Sequence, residues 1–280
     1  MNHRLTIGGL ALCCALVAAA VQLREENLIF FDNKGDLKLY ATSVAGNVVP
    51  GESLSFDLTG DPVVGVSKSQ SLEFRAQHAK VEAADAGNGS FKLSAATLDG
   101  NVVVKIDGGT EDAKSVSTIE TQLLQFVEDK AAIVTLPEKF VYKNVLTKEE
   151  SVRTVFIAGA SGVIRMRPLD QAAELANPVV SADVRGPLRA EMTTDFTDAT
   201  KKDSKVVLTG DRLTYVAEKN VLRVEGNVTV VSTQTPPDGE PLTFTIRPPW
   251  IDVLLDDDFQ VISFTVGGGS GSMSGKGGGE

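Results

Sequence analysis

Few residues of this 280-residue chain have the types and spacing that catalysis or metal binding requires. His78 stands alone in an alternating segment, where a single histidine is usually a surface or structural residue and not a base or a ligand. Asp256-Asp257-Asp258 is acidic enough to attract calcium, but it lacks the spaced ligands of a calcium loop and is typical of a solvated turn. Cys13 and Cys14 lie in an apolar N-terminal run, which excludes thiolate catalysis and a cysteine-rich zinc site from the rest of the chain.

Other signatures of chemistry are missing as well. The sequence contains neither the Gly-x-x-x-x-Gly-Lys loop that cradles phosphates nor the Gly-x-Ser-x-Gly elbow of serine hydrolases. A glycosidase-like pair of carboxylates stays open, because a sequence does not show which two acids lie close together. The net charge of −10 argues against a nucleic-acid partner, since phosphate backbones are bound by concentrated basic surfaces. We therefore expect a non-enzymatic protein with no cofactor and no metal.

The N-terminal segment is built like a membrane anchor or an export signal. Residues Leu5 to Leu23 carry no charge and would span roughly 28 Å as a helix, close to the hydrocarbon thickness of a bilayer. Arg4 before the run and the acidic pair after it orient the N-terminus inside and the body outside. The length of the run favours a retained transmembrane helix within residues 1–26, whereas Ala18-Ala19-Ala20 offers a signal-cleavage site at about Ala20.

The rest of the chain alternates between apolar and polar residues, which is the pattern of antiparallel strands with one buried face. The clearest runs are Leu54-Phe56-Leu58, Leu72-Phe74-Ala76, Leu188-Ala190-Met192 and Leu242-Phe244-Ile246. Clusters of glycine, asparagine and proline separate the runs and predict tight turns. One short helix is expected from Leu169 to Ala176. The pattern predicts an all-β protein, for which a sandwich, a jelly roll and a β-solenoid are the alternatives.

The C-terminal segment differs in composition from the body. From Gly267 to Glu280 the sequence is dominated by glycine and serine. With almost no side chains to bury, such a segment does not offset the entropy lost on ordering, so we expect a flexible tail over residues 267–280. No functional role follows from its composition.

The tripeptide Gly-Asn-Val occurs three times, beginning at Gly46, Gly100 and Gly226. The apolar positions keep the same parity on both sides of the last copy: Leu222, Val224, Val228 and Val230. This parity predicts one strand that bends at Gly-Asn, where glycine permits unusual dihedral angles and asparagine tolerates them. A hairpin turn at the same dipeptide is the alternative. Repetition of such a unit predicts stacked hairpins around one shared core.

These repeats resemble the OstA-like repeat of the lipopolysaccharide-transport family. The similarity is strongest from Gly210 to Val228, which contains Gly-Asp-Arg-Leu-Thr-Tyr and then Leu-Arg-Val-Glu-Gly-Asn-Val. Residues Ser71 to Ile106 look similar, as does Ile119 to Leu124 leading to Leu136-Pro137. With its single N-terminal anchor the chain looks closer to the LptC branch of that family than to the LptA branch. It departs from the family pattern between Lys143 and Pro187, where no repeat is evident, and in its glycine-rich tail.

The resemblance implies an elongated open β-jelly roll over residues 27–266, either as one unit or as two of about 27–170 and 171–266. It implies an envelope component that holds the acyl chains of lipopolysaccharide, or of a related lipid, in an apolar interior. The implied partners are other jelly-roll transport proteins, joined through edge strands, and an ATP-driven extractor of the inner membrane. The body would lie in the periplasm behind an inner-membrane anchor, or be soluble there after cleavage. The interior residues expected to contact lipid are Phe74, Phe91, Leu93, Val102, Val104, Leu213, Tyr215, Leu222, Val224 and Val228.

Two other functions remain compatible with the sequence. A structural or adhesive β-repeat scaffold would use the same strands without a lipid cargo, and the interior candidates would then be ordinary core residues. A carbohydrate-active enzyme on a β-solenoid would need two carboxylates close together in a cleft. Lipid capture distinguishes transport from the scaffold, and the presence or absence of such a cleft tests the enzyme.

Overall fold

The computed structural model describes residues 27–274, apart from 33, 49–52, 88, 173–174, 176, 199, 237–238, 257–258 and 269. The described chain is almost entirely β, which confirms the all-β prediction. The first strands are β1 (Leu28–Phe31), β2 (Leu37–Tyr40), β3 (Ser43–Val48), β4 (Ser53–Ser67), β5 (Leu72–Gly87), β6 (Ser90–Gly109), β7 (Ala113–Glu128), β8 (Ala132–Leu136) and β9 (Phe140–Lys148). They are followed by β10 (Ser151–Gly159), β11 (Ser161–Met166), the short helix α1 (Leu169–Ala172), β12 (Val179–Phe196) and β13 (Asp203–Val216). The last elements are a 3₁₀ turn (Ala217–Lys219), β14 (Val221–Glu225), β15 (Thr229–Thr235), β16 (Leu242–Arg247), β17 (Trp250–Leu255), β18 (Val261–Val266) and β19 (Ser270–Ser274).

The long strands are bent, and each half pairs with a different half of the neighbouring strand. In β5, residues 72–75 pair with residues 103–106 of β6, whereas residues 78–87 pair with residues 90–99. The register breaks between these two sets, so the chain turns a corner there without reversing its direction. The same break divides β4, β6, β7, β12 and β13. Elsewhere a short connection makes the corner, as between β14 and β15.

The corners divide the strands into two layers. Layer I contains β1, β2, β9, β10, β15, β16, β19 and the halves of the long strands that pair with them. Layer II contains β3, β8, β11, β14, β17, β18 and the other halves. Every pairing is antiparallel, and the fold is a stack of V-shaped rungs, each with one arm in either layer.

The two layers face each other across one hydrophobic core. Phe74 and Val104 of layer I enclose the same small cavity as Leu98 and Phe126 of layer II. Aromatic rings also pack between the layers, with 5.1 Å between the centroids of Phe30 and Phe56 and 6.4 Å between those of Phe244 and Phe264. Nearly all the buried apolar side chains form a single contiguous cluster, so the interior runs along the whole stack.

The stack has two different long sides. The corners lie along one side, and the hairpin turns lie along the other, which we call the mouth. Residues 68–71 form such a turn at the end of layer I, and residues 129–131 form one at the end of layer II. In the part of the chain that the structure describes, the layers are therefore joined by the chain itself at the corners and by noncovalent contacts at the mouth.

The last Gly-Asn-Val copy forms a corner between β14 and β15. Gly226 and Asn227 have φ values of +72° and +48°, in the left-handed region. A Cβ atom on Gly226 would lie 2.5 Å from the Asp211 Oδ2 atom of the neighbouring strand, so only glycine fits. The Asn227 side-chain amide donates a hydrogen bond of 2.7 Å to the same oxygen. The prediction of a bend without chain reversal is confirmed here.

The middle copy forms the corner of β6 by the same means. Gly100 and Asn101 have φ values of +76° and +50°. A Cβ atom on Gly100 would lie 2.4 Å from the Gln77 Oε1 atom of β5. The Asn101 N–H donates to Gln122 Oε1 of β7 at 3.2 Å. Both copies thus combine a left-handed turn with a polar side chain from the adjacent corner.

The first copy does not form a corner. Gly46 lies inside β3 and is paired with Phe56 of β4 in unbroken register. Corners also occur between Lys143 and Pro187, where no repeat is evident in the sequence. One lies at Ala160, whose N–H donates to the Arg185 carbonyl at 2.9 Å. Another lies at Gly186-Pro187, which is joined by a cis peptide bond.

The expected flexible tail can be compared with the structure in part, whereas the expected N-terminal helix cannot. Residues Ser270–Ser274 of the expected flexible tail form β19, because their backbone groups continue the hydrogen-bond ladder of β16. The expected transmembrane helix in residues 1–26 and the end of the tail at 275–280 lie outside the described residues. In the described part of the chain, no helix is long and apolar enough to cross a membrane. The expected helix from Leu169 is present as the four-residue α1.

We expect Gly226→Ala to lower the free energy of unfolding by about 2–4 kcal/mol, because the new Cβ atom meets Asp211 in a backbone conformation that L-residues disfavour. Urea unfolding monitored by circular dichroism measures the change. Gly87→Ala is the matched control: Gly87 has a φ of +88°, but nothing lies within 4 Å of its Cβ position. It should cost only about 1 kcal/mol. Equal losses in the two variants would contradict the role assigned to the corner contact.

Candidate functional site

The interior between the layers is the candidate functional site. Nine of the ten predicted lipid-contacting residues are buried there, and Phe91 is half-buried near the mouth. Phe74, Val102, Val104 and Val228 belong to the layer I side, and Leu93, Leu213, Tyr215, Leu222 and Val224 belong to layer II. The structure therefore brings the predicted residues into one apolar interior. Burial alone is equally what an ordinary core residue requires.

The interior is closely packed along its length. A cavity of about 30 Å³ lies in the C-terminal half, where Tyr142 and Ile157 face Tyr215 and Leu222. A second, of about 20 Å³, lies beside Phe74 in the N-terminal half. Cavities of this size hold roughly one or two water molecules. An acyl chain can occupy this interior only if the two layers move apart.

The mouth is closed by three polar contacts between the layers, which we call latches. The first joins the turn after β1 to the start of β6. Asp32 accepts hydrogen bonds from the N–H groups of Phe91 at 2.9 Å and Asp36 at 2.7 Å, and Asp36 accepts one from Ser90 Oγ at 2.7 Å. Burial alone would raise the pKa of Asp32, but these N–H donors hold the pKa below its usual value. Asp32 is therefore a buried anion that takes one backbone donor, the Phe91 N–H, from layer II and its other backbone donors from its own turn.

The second latch is centred on Gln70, in the turn between β4 and β5. Its side-chain amide donates to the Leu93 carbonyl at 2.9 Å and to Glu128 Oε2 at 2.8 Å, and its oxygen accepts from the Leu93 N–H at 2.8 Å. Ser67 Oγ donates to that oxygen at 2.8 Å. Because Gln70 is fully buried, losing these partners would leave several polar groups without hydrogen bonds.

Glu128 connects the second latch to helix α1. It accepts a hydrogen bond of 3.2 Å from the N–H of Leu169, the first residue of the helix. The Leu169 side chain is fully buried and lines the N-terminal cavity beside Phe74. This helical turn therefore covers the middle of the mouth and inserts one leucine between the layers.

The third latch lies towards the C-terminal end. Arg153 of β10 donates to Gln260 Oε1 at 2.9 Å and forms an ion pair of 3.6 Å with Asp256. Both partners belong to the turn between β17 and β18. Phe259 in the same turn has a φ of +63° and packs 5.5 Å from the Tyr215 ring, at the C-terminal cavity. The latch thus holds an aromatic side chain over that end of the interior.

On β7 and β9, in the middle of layer I, the inner face carries polar side chains towards the mouth. Next to the deep apolar row, Asn144 is buried and donates to Ser115 Oγ at 2.8 Å and Ser117 Oγ at 3.0 Å. Ser117 also lies 3.3 Å from the Tyr142 hydroxyl, and burial raises the pKa of Tyr142 to about 12. These groups are neutral at physiological pH. The interior therefore has an apolar depth and a polar margin.

The residues first considered for chemistry are not assembled into a site. His78 is exposed, and its Nδ1 atom lies 3.2 Å from Thr59 Oγ1. Asp256 accepts hydrogen bonds within its own turn and pairs with Arg153, while Asp257 and Asp258 lie outside the described residues. Among the residues that the structure describes, no cluster of histidine, cysteine, aspartate or glutamate could hold a metal ion.

The latch residues are the part of the site that sequence reasoning missed. Glu128 alternates in step with the inward-facing Leu124 and Phe126, and Arg153 in step with Val155. A charged residue at an otherwise apolar inward position could therefore have been recognised from the sequence. Gln70 stands in a turn and offers no such signal.

Comparison with known protein families, with curated proteins and with solved structures finds no match for this chain. The likeness to the lipopolysaccharide-transport family thus rests on the repeat residues themselves and is carried forward as a proposal.

Burial raises the pKa of Glu128 above its ordinary value of 4.5, although the hydrogen bonds from Gln70 and Leu169 act in the opposite direction. A carboxyl group with a raised pKa stabilises the folded state while protonated, and this contribution is lost as the pH rises from about 4.5 through the raised value. We expect Glu128→Gln to remove this decline in the free energy of unfolding. Urea unfolding in steps from about pH 4.5 to neutral pH measures it.

The control for this experiment is Glu120→Gln, an exposed position on the same strand. It should keep the pH dependence of the unmodified protein. If Glu128→Gln also keeps that dependence, Glu128 does not titrate as a buried group at the mouth.

Proposed function

We propose that this protein is an envelope lipid-transport component resembling LptC, which holds lipid acyl chains between its layers and passes them to a partner jelly roll. The cargo class is lipopolysaccharide or a related amphiphile with several acyl chains. The observation that carries the proposal is one continuous apolar interior that, among the described residues, is closed along one side by noncovalent contacts: hydrogen bonds, an ion pair and two inserted apolar side chains. Such an interior shelters acyl chains from water.

The mouth is the route by which lipid would enter. On the other side, the chain itself connects the layers at each corner. Separating the layers there would distort the backbone at corners such as Gly226-Asn227. At the mouth, separation requires that the latches break, that Leu169 and Phe259 leave the interior, and that the apolar contacts between the layers are replaced. The polar margin formed by Ser115, Ser117 and Asn144 suits the boundary between acyl chains and a polar headgroup.

The partners we propose are other jelly-roll proteins of the transport route and an ATP-driven extractor in the inner membrane. Among the described residues, β1 and β3 form one end of the stack, and β18 and β19 the other, each paired on one side. Unpaired strand edges are the usual means by which β proteins extend one another. With an anchor in residues 1–26 the body would face the periplasm from the inner membrane, and cleavage near Ala20 would release it there.

The rival is a structural or adhesive scaffold without a lipid cargo. The close packing of the interior is compatible with it, because a scaffold needs a filled core and no opening. The two functions differ in whether lipid ever reaches the interior, which can be tested directly in cells.

We expect a photo-crosslinking amino acid at Phe74 or at Tyr215 to form adducts with lipopolysaccharide in living cells. Both side chains lie at interior cavities, one on each layer. Lipid adducts are detected by gel shift and antibody after irradiation. An aromatic crosslinker replaces an aromatic side chain at both positions, which limits disturbance of the core.

The matched control is a crosslinker at Val216, the next residue on β13, whose side chain faces outward and is 39% exposed. It should give no lipid adduct above background. Adducts to protein alone at positions 74 and 215 would favour the scaffold, and equal lipid adducts at position 216 would indicate surface association.

A further inference from the structure

The two ends of the stack are unequal in the part of the chain that the structure describes. At the C-terminal end the last rung is complete, with β18 in layer II and β19 in layer I. At the N-terminal end β2 and β3 form a complete rung, and β1 adds one further arm to layer I alone. At the N-terminal end, β1 of layer I therefore has no counterpart in layer II among the described residues.

β19 is poorly suited to the position it occupies. Its sequence is Ser-Gly-Ser-Met-Ser, and it follows the three glycines at 267–269. Glycine and serine gain little from a strand, and glycine loses more conformational entropy than any other residue on being ordered. The strand that it covers, β16, has the β-forming sequence Leu-Thr-Phe-Thr-Ile-Arg. A strand with larger side chains would pair with β16 more favourably.

β1 has the sequence and the direction that this position requires. Its residues are Leu-Ile-Phe-Phe. It runs from the corner side to the mouth, because the turn that follows it contacts Ser90 and Phe91 there. β19 also runs from the corner side to the mouth, since it is antiparallel to β16, which runs from the mouth to the corner side. β1 of a second copy can therefore take the place of β19 and keep the ladder antiparallel.

Layer II continues in the same arrangement. β3 runs from the corner side to the mouth, since it follows Thr42, whose N–H donates to Thr59 beside the β4 corner. β18 runs the other way, from its turn at the mouth. β3 of the second copy would thus lie antiparallel to β18, and β18 would share a rung with the incoming β1. β18 of the first copy and β1 of the second copy form one complete rung only when β19 has left β16.

Exposed apolar side chains are concentrated at these two ends. Five of the nine exposed large hydrophobic residues that the structure describes lie there: Phe31, Val44, Leu242, Ile262 and Val266. Phe31 is 63% exposed and Ile262 is 61% exposed. Apolar side chains at strand edges favour pairing with another chain.

We propose that β19 is an intramolecular placeholder, which β1 of a second copy displaces from β16 so that two copies stack head to tail in one continuous pair of layers. The inference goes beyond the proposed function and rests on it in one respect: the joined interiors would form a longer path for lipid. While β19 is in place, it covers the edge of β16 with which the incoming β1 would pair.

The test compares the full chain with a variant that ends at Gly268 and so lacks β19, both with the same N-terminus. Light scattering after size-exclusion chromatography gives the mass over a range of concentrations. We expect the shortened variant to form dimers and longer stacks, with at least a twofold rise in mass, at concentrations where the full chain is a monomer. A shortened variant that stays monomeric at the highest soluble concentration overturns the proposal.

Two further variants separate stacking from general aggregation. Adding Phe31→Asp to the shortened chain places a charge at the exposed edge of β1 and should restore the monomer. Thr245→Cys with Ser272→Cys joins the paired positions of β16 and β19, with Cys13 and Cys14 changed to serine. This variant has the full length of the chain. When it is oxidised, the disulfide holds β19 on β16, and we expect the protein to stay monomeric. Association that ignores Phe31→Asp, or that persists with β19 locked, also overturns the proposal.

The lipid adduct at Tyr215 can be measured in the same shortened chain. A monomer that still captures lipid refutes the placeholder and leaves the transport function standing. Stacks that capture no lipid support the placeholder and refute transport.

Discussion

The structure depends on the corner at which each rung crosses from one layer to the other. At Gly226-Asn227 the chain turns through left-handed backbone conformations while Asp211 of the next strand fills the space beside the glycine. This contact keeps consecutive corners aligned, so that both layers face one shared core. It also makes the two long sides unequal, because the corner side is covalent, whereas the described residues close the mouth through noncovalent contacts, among them those of Asp32, Gln70 and Arg153.

The fold class follows from local sequence features, whereas the closure of the mouth does not. Alternation of apolar residues gives the strands, and the parity of Val224 and Val228 across Gly226-Asn227 gives the bend. The corner at Gly186-Pro187 lacks that motif, which is why no repeat is visible there. The latches join residues far apart in the chain, such as Gln70 and Glu128, so no local pattern identifies both partners. β19 was missed because its glycine and serine sequence has no alternation of apolar and polar residues that predicts a strand.

The proposed transport function and the close packing of the interior are reconciled by the asymmetry of the two sides. Cavities of about 30 and 20 Å³ cannot hold an acyl chain, so lipid must replace contacts that the closed protein makes with itself. Leu169 and Phe259 are the side chains placed to leave first, because each is held over the interior by a short segment at the mouth. Under the proposed function, the closed interior is the state without lipid. The proposed placeholder strand would block access to β16 at the end of the stack, as the latches block access to the interior at its side.

The most direct test of this account is the distance across the mouth with and without lipid. Spin labels at Lys68 and Lys130, exposed residues on the layer I and layer II turns beside the Gln70–Glu128 latch, report the separation by pulsed electron resonance. The labelled chain carries serine at positions 13 and 14, the only native cysteines. The account predicts a longer distance when lipopolysaccharide is bound. An unchanged distance in a sample shown to contain bound lipid would contradict it.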